Sequence, residues 1–151
     1  MSSKLTSTAG SKKINKFVSS SPEETAAIGQ DIARSLTGNE LICLHGDLGA
    51  GKTTLSKGLI SAFAKVPPHE VNSPTFTYLN VYEGEKTVFH FDCYRLNGEE
   101  DFWEKGFDEY FGELCLIEWS EKIEKALPTK RINITISYHG ETGREITIET
   151  D

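Results

Sequence analysis

A glycine-rich loop at residues 46–54, with the sequence GDLGAGKTT, combines the residue types that hold phosphate. The pattern G-x-x-x-x-G-K-[ST] is met by Gly46, Gly51, Lys52 and Thr53. Glycines let backbone N–H groups converge on phosphate oxygens, and a helix that starts there adds a partial positive charge. A lysine in this position reaches the β and γ phosphates of a nucleotide, and the threonine hydroxyl can bind Mg²⁺. We expect nine residues to form this site: Gly46, Asp47, Leu48, Gly49, Ala50, Gly51, Lys52, Thr53 and Thr54.

The residues on either side of the loop predict the elements that position it. Residues 41–44 are a short apolar stretch, which is typical of a buried strand. After the loop, Leu55, Leu59 and Phe63 recur at helical spacing and would share one face of a helix. The predicted order is therefore strand, glycine loop, helix, which is the setting in which this motif binds a nucleotide.

Two carboxylates stand where later strands are predicted to end. Glu118 follows the apolar stretch 114–117, and Asp92 follows the β-prone stretch 87–91. Ligands of such sheets gather at the carboxyl ends of the strands, so both acids are expected near the glycine loop. One would support Mg²⁺ and the other would orient the attacking water, and the sequence does not divide these roles between them. The alternatives are a solvated Glu118 and a plain ion pair between Asp92 and Arg95.

Three further residues are candidates for the same site. Thr75 follows Ser73-Pro74 on a segment of the kind that closes over a γ-phosphate, although it could simply begin a strand. Trp119 could line the site, face a partner or pack in the core. His90 is interpreted as a structural histidine.

The nucleotide is predicted to be ATP. Guanine-specific proteins of this class carry N-K-x-D after the loop, whereas the Asn-Lys pair of this chain, Asn15-Lys16, precedes it and lacks the aspartate. A small-molecule kinase usually has an arginine-bearing lid, but only Arg95, Arg131 and Arg144 follow the loop. This scarcity weakens the kinase interpretation and leaves it open.

The predicted fold class is α/β, a P-loop NTPase-like three-layer sandwich with a mixed, mostly parallel central sheet and antiparallel hairpins. Wholly apolar stretches at 41–44 and 114–117 are expected of central strands that are covered on both faces. Alternating apolar residues at 132–138 and 146–148 predict a terminal hairpin. Residues 1–13 are predicted to be a disordered tail, and residues 14–151 a single domain.

Composition excludes several classes of function. The net charge is −7, and residues 1–22 carry four lysines and no acid, so the remainder is strongly acidic and would repel a bare phosphodiester backbone. No apolar stretch approaches the roughly 20 residues that span a bilayer, and the start of the chain does not look like a secretory signal, so a cytoplasmic location is expected. The cysteines are odd in number and far apart, which predicts buried, reduced thiols: Cys43, Cys93 and Cys115.

Taken together, four blocks of sequence resemble the TsaE family, also called YjeE. The blocks are the glycine loop, Ser73-Pro74-Thr75-Phe76, His90-Phe91-Asp92 with Tyr94-Arg95-Leu96, and Ile117-Glu118-Trp119. The likeness runs in order from about residue 17 to residue 148. The chain departs from the family in its first 16 residues and at Ala64-Lys65, where a glycine closing the helix is expected.

The resemblance implies a small ATPase that binds ATP and Mg²⁺ and takes part in threonylcarbamoyladenosine modification of tRNA. Lys52 and Thr53 would hold phosphate and Mg²⁺, Glu118 would support the metal, and Thr75 and Asp92 would belong to the switch and hydrolysis machinery. Such a protein would act with TsaB and TsaD, and would meet tRNA only indirectly through that complex.

Three functional hypotheses follow from the sequence. The first is a weak ATPase that partners activate. The second is a nucleotide-gated binding module, for which turnover is not essential. The third is the small-molecule kinase.

Overall fold

The computed structural model describes residues 3–9, 12–47 and 49–150, and within these ranges eight strands form one sheet. The strands are β1 (Ser3–Ala9), β2 (Lys12–Ser19), β3 (Leu41–Gly46), β4 (Leu79–Glu83), β5 (Thr87–Asp92), β6 (Leu114–Glu118), β7 (Ile132–His139) and β8 (Gly143–Thr150). The helices are α1 (Pro22–Arg34), α2 (Lys52–Ala64) and α3 (Glu99–Glu104), with 3₁₀ segments at Pro68–Glu70, Phe107–Tyr110 and Ser120–Ala126. None of the helices in these ranges is long and apolar enough to cross a membrane.

The sheet is mixed, and its parallel part lies at the centre. The strand order is β1-β2-β8-β7-β3-β6-β5-β4. Strand β3 pairs in parallel with β7 and β6, and β6 pairs in parallel with β5. The other four pairings are antiparallel, so hairpins extend both edges of the sheet. The sheet is therefore less parallel than the predicted "mostly parallel" sheet. The predicted α/β fold class with a mixed sheet and hairpins is confirmed.

The two faces of the sheet carry separate hydrophobic clusters, which gives the three predicted layers. On one face, helices α1 and α2 cover alternate residues of the central strands, such as Ile42 and Leu116. On the other face, Cys43 and Ile117 lie in a cluster with Phe102 of α3. Central strands that are buried on both faces must be apolar at successive positions, which explains the sequences of β3 and β6.

The three cysteines are buried and unpaired, as predicted. Burial raises the pKa of Cys93 and of Cys115 to about 12, so both thiols stay protonated at neutral pH. Protonated, buried thiols are poor nucleophiles and poor metal ligands. The cysteines therefore act as small apolar residues of the core.

Strand β1 lies where a disordered tail was predicted over residues 1–13. It pairs antiparallel with β2 over Ser3–Ala9, and β2 pairs in turn with β8. Without β1, this edge of β2 would leave N–H and C=O groups unpaired, and the composition of the tail does not indicate that such an edge exists. The backbone of residues 3–9 and 12–13 thus belongs to the sheet, while the assignment of residues 14–151 to one domain stays a prediction.

Helix α2, which begins at the glycine loop, is held close to α1 by two glycines. A Cβ atom added at Gly58 would collide with the carbonyl oxygen of Ala26, and one at Gly29 would lie 2.5 Å from the carbonyl oxygen of Leu55. The helix ends at Lys65, whose φ of 63° is the left-handed conformation that a glycine would adopt without strain. Lysine therefore occupies the position where the family resemblance predicted a glycine.

We predict that Gly58→Ala destabilises the protein. Alanine favours an isolated helix over glycine by roughly 1 kcal/mol, but the added methyl group would force α1 and α2 apart at a cost of about 1–3 kcal/mol. Thermal unfolding should show a lower Tm than wild type, whereas the exposed substitution Gln30→Ala on α1 should leave Tm nearly unchanged. A higher Tm for Gly58→Ala would contradict the close approach of the two helices.

Candidate functional site

The glycine loop connects β3 to α2 in the predicted order. Gly49 and Gly51 have φ values of 79° and 109°, a backbone conformation that L side chains rarely adopt. A Cβ atom at Gly46 would lie 2.7 Å from the carbonyl oxygen of Ile136 on β7. The shape of the loop thus requires all three glycines. Leu48, which is also part of the predicted loop, lies outside the described residues.

The start of α2 leaves backbone donors free for a ligand. Gly51 is the N-cap residue, and no side chain from the described part of the chain caps the helix there. Lys52 is the first helical residue, and Thr53 beside it is exposed. Ala50 is fully buried, and Asp47 accepts its N–H at 3.0 Å, which closes the turn. Free N–H groups and the helix dipole make this end of α2 suited to an anion.

The terminal hairpin braces the loop from the other side. Arg144 on β8 donates from Nε to the carbonyl oxygen of Ala50 at 2.8 Å. Its guanidinium lies 4.5 Å from the ring centroid of Tyr138, and a Cβ at Gly49 would come within 3.0 Å of the Tyr138 hydroxyl. Sequence reasoning did not assign these two residues to the site, and no local pattern marks them.

The two predicted carboxylates lie side by side at the carboxyl edge of the parallel strands. Glu118 at the end of β6 is level with Leu44 of β3 on one side and with Asp92 of β5 on the other. Both acids are largely buried, with 8% and 6% of their surfaces exposed. Parallel register therefore brings Glu118 and Asp92 to the same edge as the glycine loop.

Glu118 lies between a lysine and a histidine. Its Oε1 is 3.8 Å from Nζ of Lys52, and its Oε2 is 2.7 Å from Nε2 of His90. Burial raises the pKa of Glu118, but the hydrogen bond and charge of His90 and the charge of Lys52 lower it more. The net shift is downward, so Glu118 is ionised at neutral pH. His90 was interpreted as structural, and its contact with Glu118 was missed.

Asp92 is linked to the segment that carries Thr75. The Thr75 hydroxyl donates to Oδ2 of Asp92 at 3.2 Å, and the backbone N–H of Tyr94 donates to Oδ1 at 2.9 Å. Arg95, the alternative partner for Asp92, instead places its guanidinium over the ring of Phe76 at 5.5 Å. Thr75 precedes β4 and lies in a turn, so it does not begin the strand.

Trp119 lies at the site and is partly exposed. It directly follows Glu118, adopts a left-handed φ of 58°, and exposes 38% of its surface. Its ring centroid is 5.2 Å from Nζ of Lys52 and 4.8 Å from the ring of Tyr94. Gly46, Lys52 and Trp119 contribute to a small cavity of about 60 Å³ next to the loop. Trp119 is therefore not a core residue, and its roles at the site and toward a partner stay predictions.

The residues present fit a phosphate group and a magnesium ion. A Cβ would fill the space or strain the backbone at Gly46, Gly49 and Gly51, and the first turn of α2 contains no acidic residue that would repel phosphate. In the described ranges no group of three or more His, Cys, Asp or Glu side chains could hold a metal ion by itself. Mg²⁺ is commonly bound by one or two protein groups together with substrate phosphates, which agrees with this arrangement.

Comparison with known proteins places the chain in a family. The family model for "Threonylcarbamoyl adenosine biosynthesis protein TsaE" matches residues 19–146. The chain is 42% identical over 135 residues to the tRNA threonylcarbamoyladenosine biosynthesis protein TsaE of Bacillus subtilis, covering 87% of this chain and 83% of that protein. It is 40% identical over 135 residues to the protein of the same name from Treponema pallidum, with 88% and 98% covered.

A solved structure has the same fold. The crystal structure of Bacillus subtilis YdiB superposes with a TM-score of 0.75 at 34% sequence identity, covering 94% of this chain and 88% of that chain. The matched range 19–146 includes the glycine loop, both carboxylates and Arg144. The chain therefore belongs to the TsaE family of threonylcarbamoyl adenosine biosynthesis proteins.

Proposed function

We propose that the chain is an ATPase that binds Mg-ATP and, with TsaB and TsaD, supports threonylcarbamoyladenosine modification of tRNA. The observation that carries the proposal is the contact between Lys52 of the glycine loop and Glu118 at the end of β6. It joins a phosphate-binding element to a buried, ionised carboxylate, as a metal-dependent phosphoryl reaction requires. The names of the relatives support the place of the chain in this pathway.

Each part of the site has a distinct task in this proposal. Backbone N–H groups of the loop and the start of α2 bind the phosphate oxygens, and Lys52 neutralises the outer phosphates. The Thr53 hydroxyl and Oε1 of Glu118 would hold Mg²⁺. When bound, the metal neutralises charge that develops on the phosphates. Arg144 keeps the loop in the shape that binds phosphate, because it fixes the carbonyl of Ala50.

Asp92 is assigned to the attacking water. Its carboxylate is held by the Tyr94 N–H and by Thr75, so it is already oriented before a ligand binds. Thr75 follows a proline on an irregular segment, and this segment could change position when a γ-phosphate is present. In this assignment Glu118 supports the metal and Asp92 orients water.

The charge of the chain supports an indirect relation to tRNA. Its net charge of −7 would repel the phosphate backbone of an RNA bound to this chain alone. We therefore place tRNA on the TsaB and TsaD side of the complex. Location in the cytoplasm belongs to the same proposal.

One observation favours the nucleotide-gated binding module as a second candidate. Phe76, directly after Thr75, exposes 83% of its surface. A segment that contacts Asp92 through Thr75 and presents Phe76 outward could report the state of the nucleotide to a partner. In that case occupancy of the site would matter, and turnover would be incidental.

Hydrolysis of ATP with and without partners tests the proposal. We expect the purified chain to release phosphate slowly and to release it at least about tenfold faster with TsaB and TsaD, because partner contacts complete such sites. Phosphate release and the association of the chain with TsaB and TsaD are measured in the same samples. Association that requires ATP without any increase in turnover would favour the binding module, and a phosphorylated small molecule would favour the kinase.

We predict that Lys52→Ala abolishes hydrolysis. The variant removes the charge that would neutralise the outer phosphates in this proposal, and the loss of such a stabilising group costs at least about 100-fold in rate. The matched control is Lys57→Ala, further along α2, which should keep wild-type turnover. Phosphate release by Lys52→Ala at the wild-type rate would refute the assignment of the loop.

We predict that Glu118→Ala reduces turnover far more than ATP affinity. The loop still binds phosphate in this variant, but support for the metal is lost, so kcat should fall roughly 100-fold. Nucleotide titration and rate measurements on the same protein separate the two quantities. Glu83→Ala at the exposed end of β4 is the control and should change neither. Equal losses of affinity and rate would contradict a role for Glu118 in the chemical step.

A further inference from the structure

His90 contacts the catalytic edge of the sheet from inside the protein. It lies on β5 two residues before Asp92, so both side chains point to the face that α2 covers. Only 2% of its surface is exposed. Its Nε2 is 2.7 Å from Oε2 of Glu118, while Nδ1 is buried and has no hydrogen-bond partner among the described residues.

This geometry defines which ring nitrogen carries the proton. An ionised carboxylate can only accept hydrogen bonds, so Nε2 of His90 must be the donor. The other ring nitrogen, Nδ1, faces no hydrogen-bond partner in the described part of the protein. The hydrogen bond that the His90 ring makes is therefore the one from Nε2 to Glu118.

Packing alone does not account for a histidine at this position. Val88 lies two residues earlier on the same face of β5 and is completely buried. An apolar side chain at position 90 could continue that packing. Histidine instead leaves the buried Nδ1 without a partner among the described residues, which is unfavourable. The compensating contact is the one with Glu118.

We infer that His90 is a positioning residue: its Nε2–H holds Oε2 of Glu118 and so directs Oε1 at Lys52 and the phosphate loop. Because Oε2 accepts the hydrogen bond from His90, Oε1 is the oxygen that faces the loop side. Rotation of the carboxylate would break the short contact with His90. This inference rests on the proposed function, in which Oε1 supports the metal.

Two substitutions and one control test the inference kinetically. His90→Leu removes the donor, and kcat should fall 10–100-fold, as is typical when the partner of a metal-supporting group is lost, with ATP affinity within about twofold of wild type. His90→Gln keeps an N–H at a similar reach and should restore most of the rate. Val88→Ala, which loses packing on the same face, should lower Tm without lowering kcat.

The same variants in a Glu118→Gln background show whether His90 acts through Glu118. If it does, His90→Leu has almost no further effect on kcat there, because the group that it positions is already altered. An equal loss in both backgrounds would overturn the inference. A rate for Val88→Ala as low as that of His90→Leu, or no recovery in His90→Gln, would overturn it as well.

A measurement without ATP separates failure of this inference from failure of the proposed function. Long-range ¹H–¹⁵N spectra of the nucleotide-free wild-type protein should show the His90 ring protonated at Nε2, with a resonance that shifts in Glu118→Gln. A ring protonated at Nδ1 instead would overturn the inference even if the protein hydrolyses ATP. If the spectrum is as expected but the protein hydrolyses no ATP even with TsaB and TsaD, the contact between His90 and Glu118 is supported. The proposed ATPase activity is then refuted.

Discussion

The buried carboxylate of Glu118 imposes the main physical constraint on this structure. An ionised group with little access to water is strongly unfavourable unless charges and hydrogen bonds compensate it. Lys52 and His90 supply that compensation from two other elements, the start of α2 and strand β5. The site therefore depends on the parallel register of β3, β6 and β5, because a shift by one residue would place these side chains on the wrong face.

The parts of the site that are local in sequence could be predicted, and the contacts between distant segments could not. The glycine loop is a continuous motif with a strand before it and a helix after it, so its position followed from the pattern alone. Glu118 and Asp92 could be placed because each ends a stretch of β-prone residues. The contact between His90 and Glu118 depends on how β5 and β6 are paired, and the sequence contains no direct sign of that pairing.

The same distinction applies to the fold. Alternating and apolar stretches predicted the central strands and the terminal hairpin, since these patterns reflect which faces are buried. The pairing of β1 with β2 was missed, because the edge that it joins exists only after β2 has paired with β8. Lys65 and Trp119 adopt left-handed backbone conformations that residue type does not indicate, and such conformations cost roughly 1–2 kcal/mol each. At Trp119 that cost accompanies a backbone turn that brings the ring next to Lys52.

The contact of Arg144 with the glycine loop joins residues that are synthesised at different times. Ala50 is synthesised first, and the arginine that fixes its carbonyl is added 94 residues later. A nascent chain on the ribosome thus carries the complete glycine loop before the arginine that braces it has been added. The hydrogen bond that braces the loop can therefore form only after β8 has been synthesised and has joined the sheet.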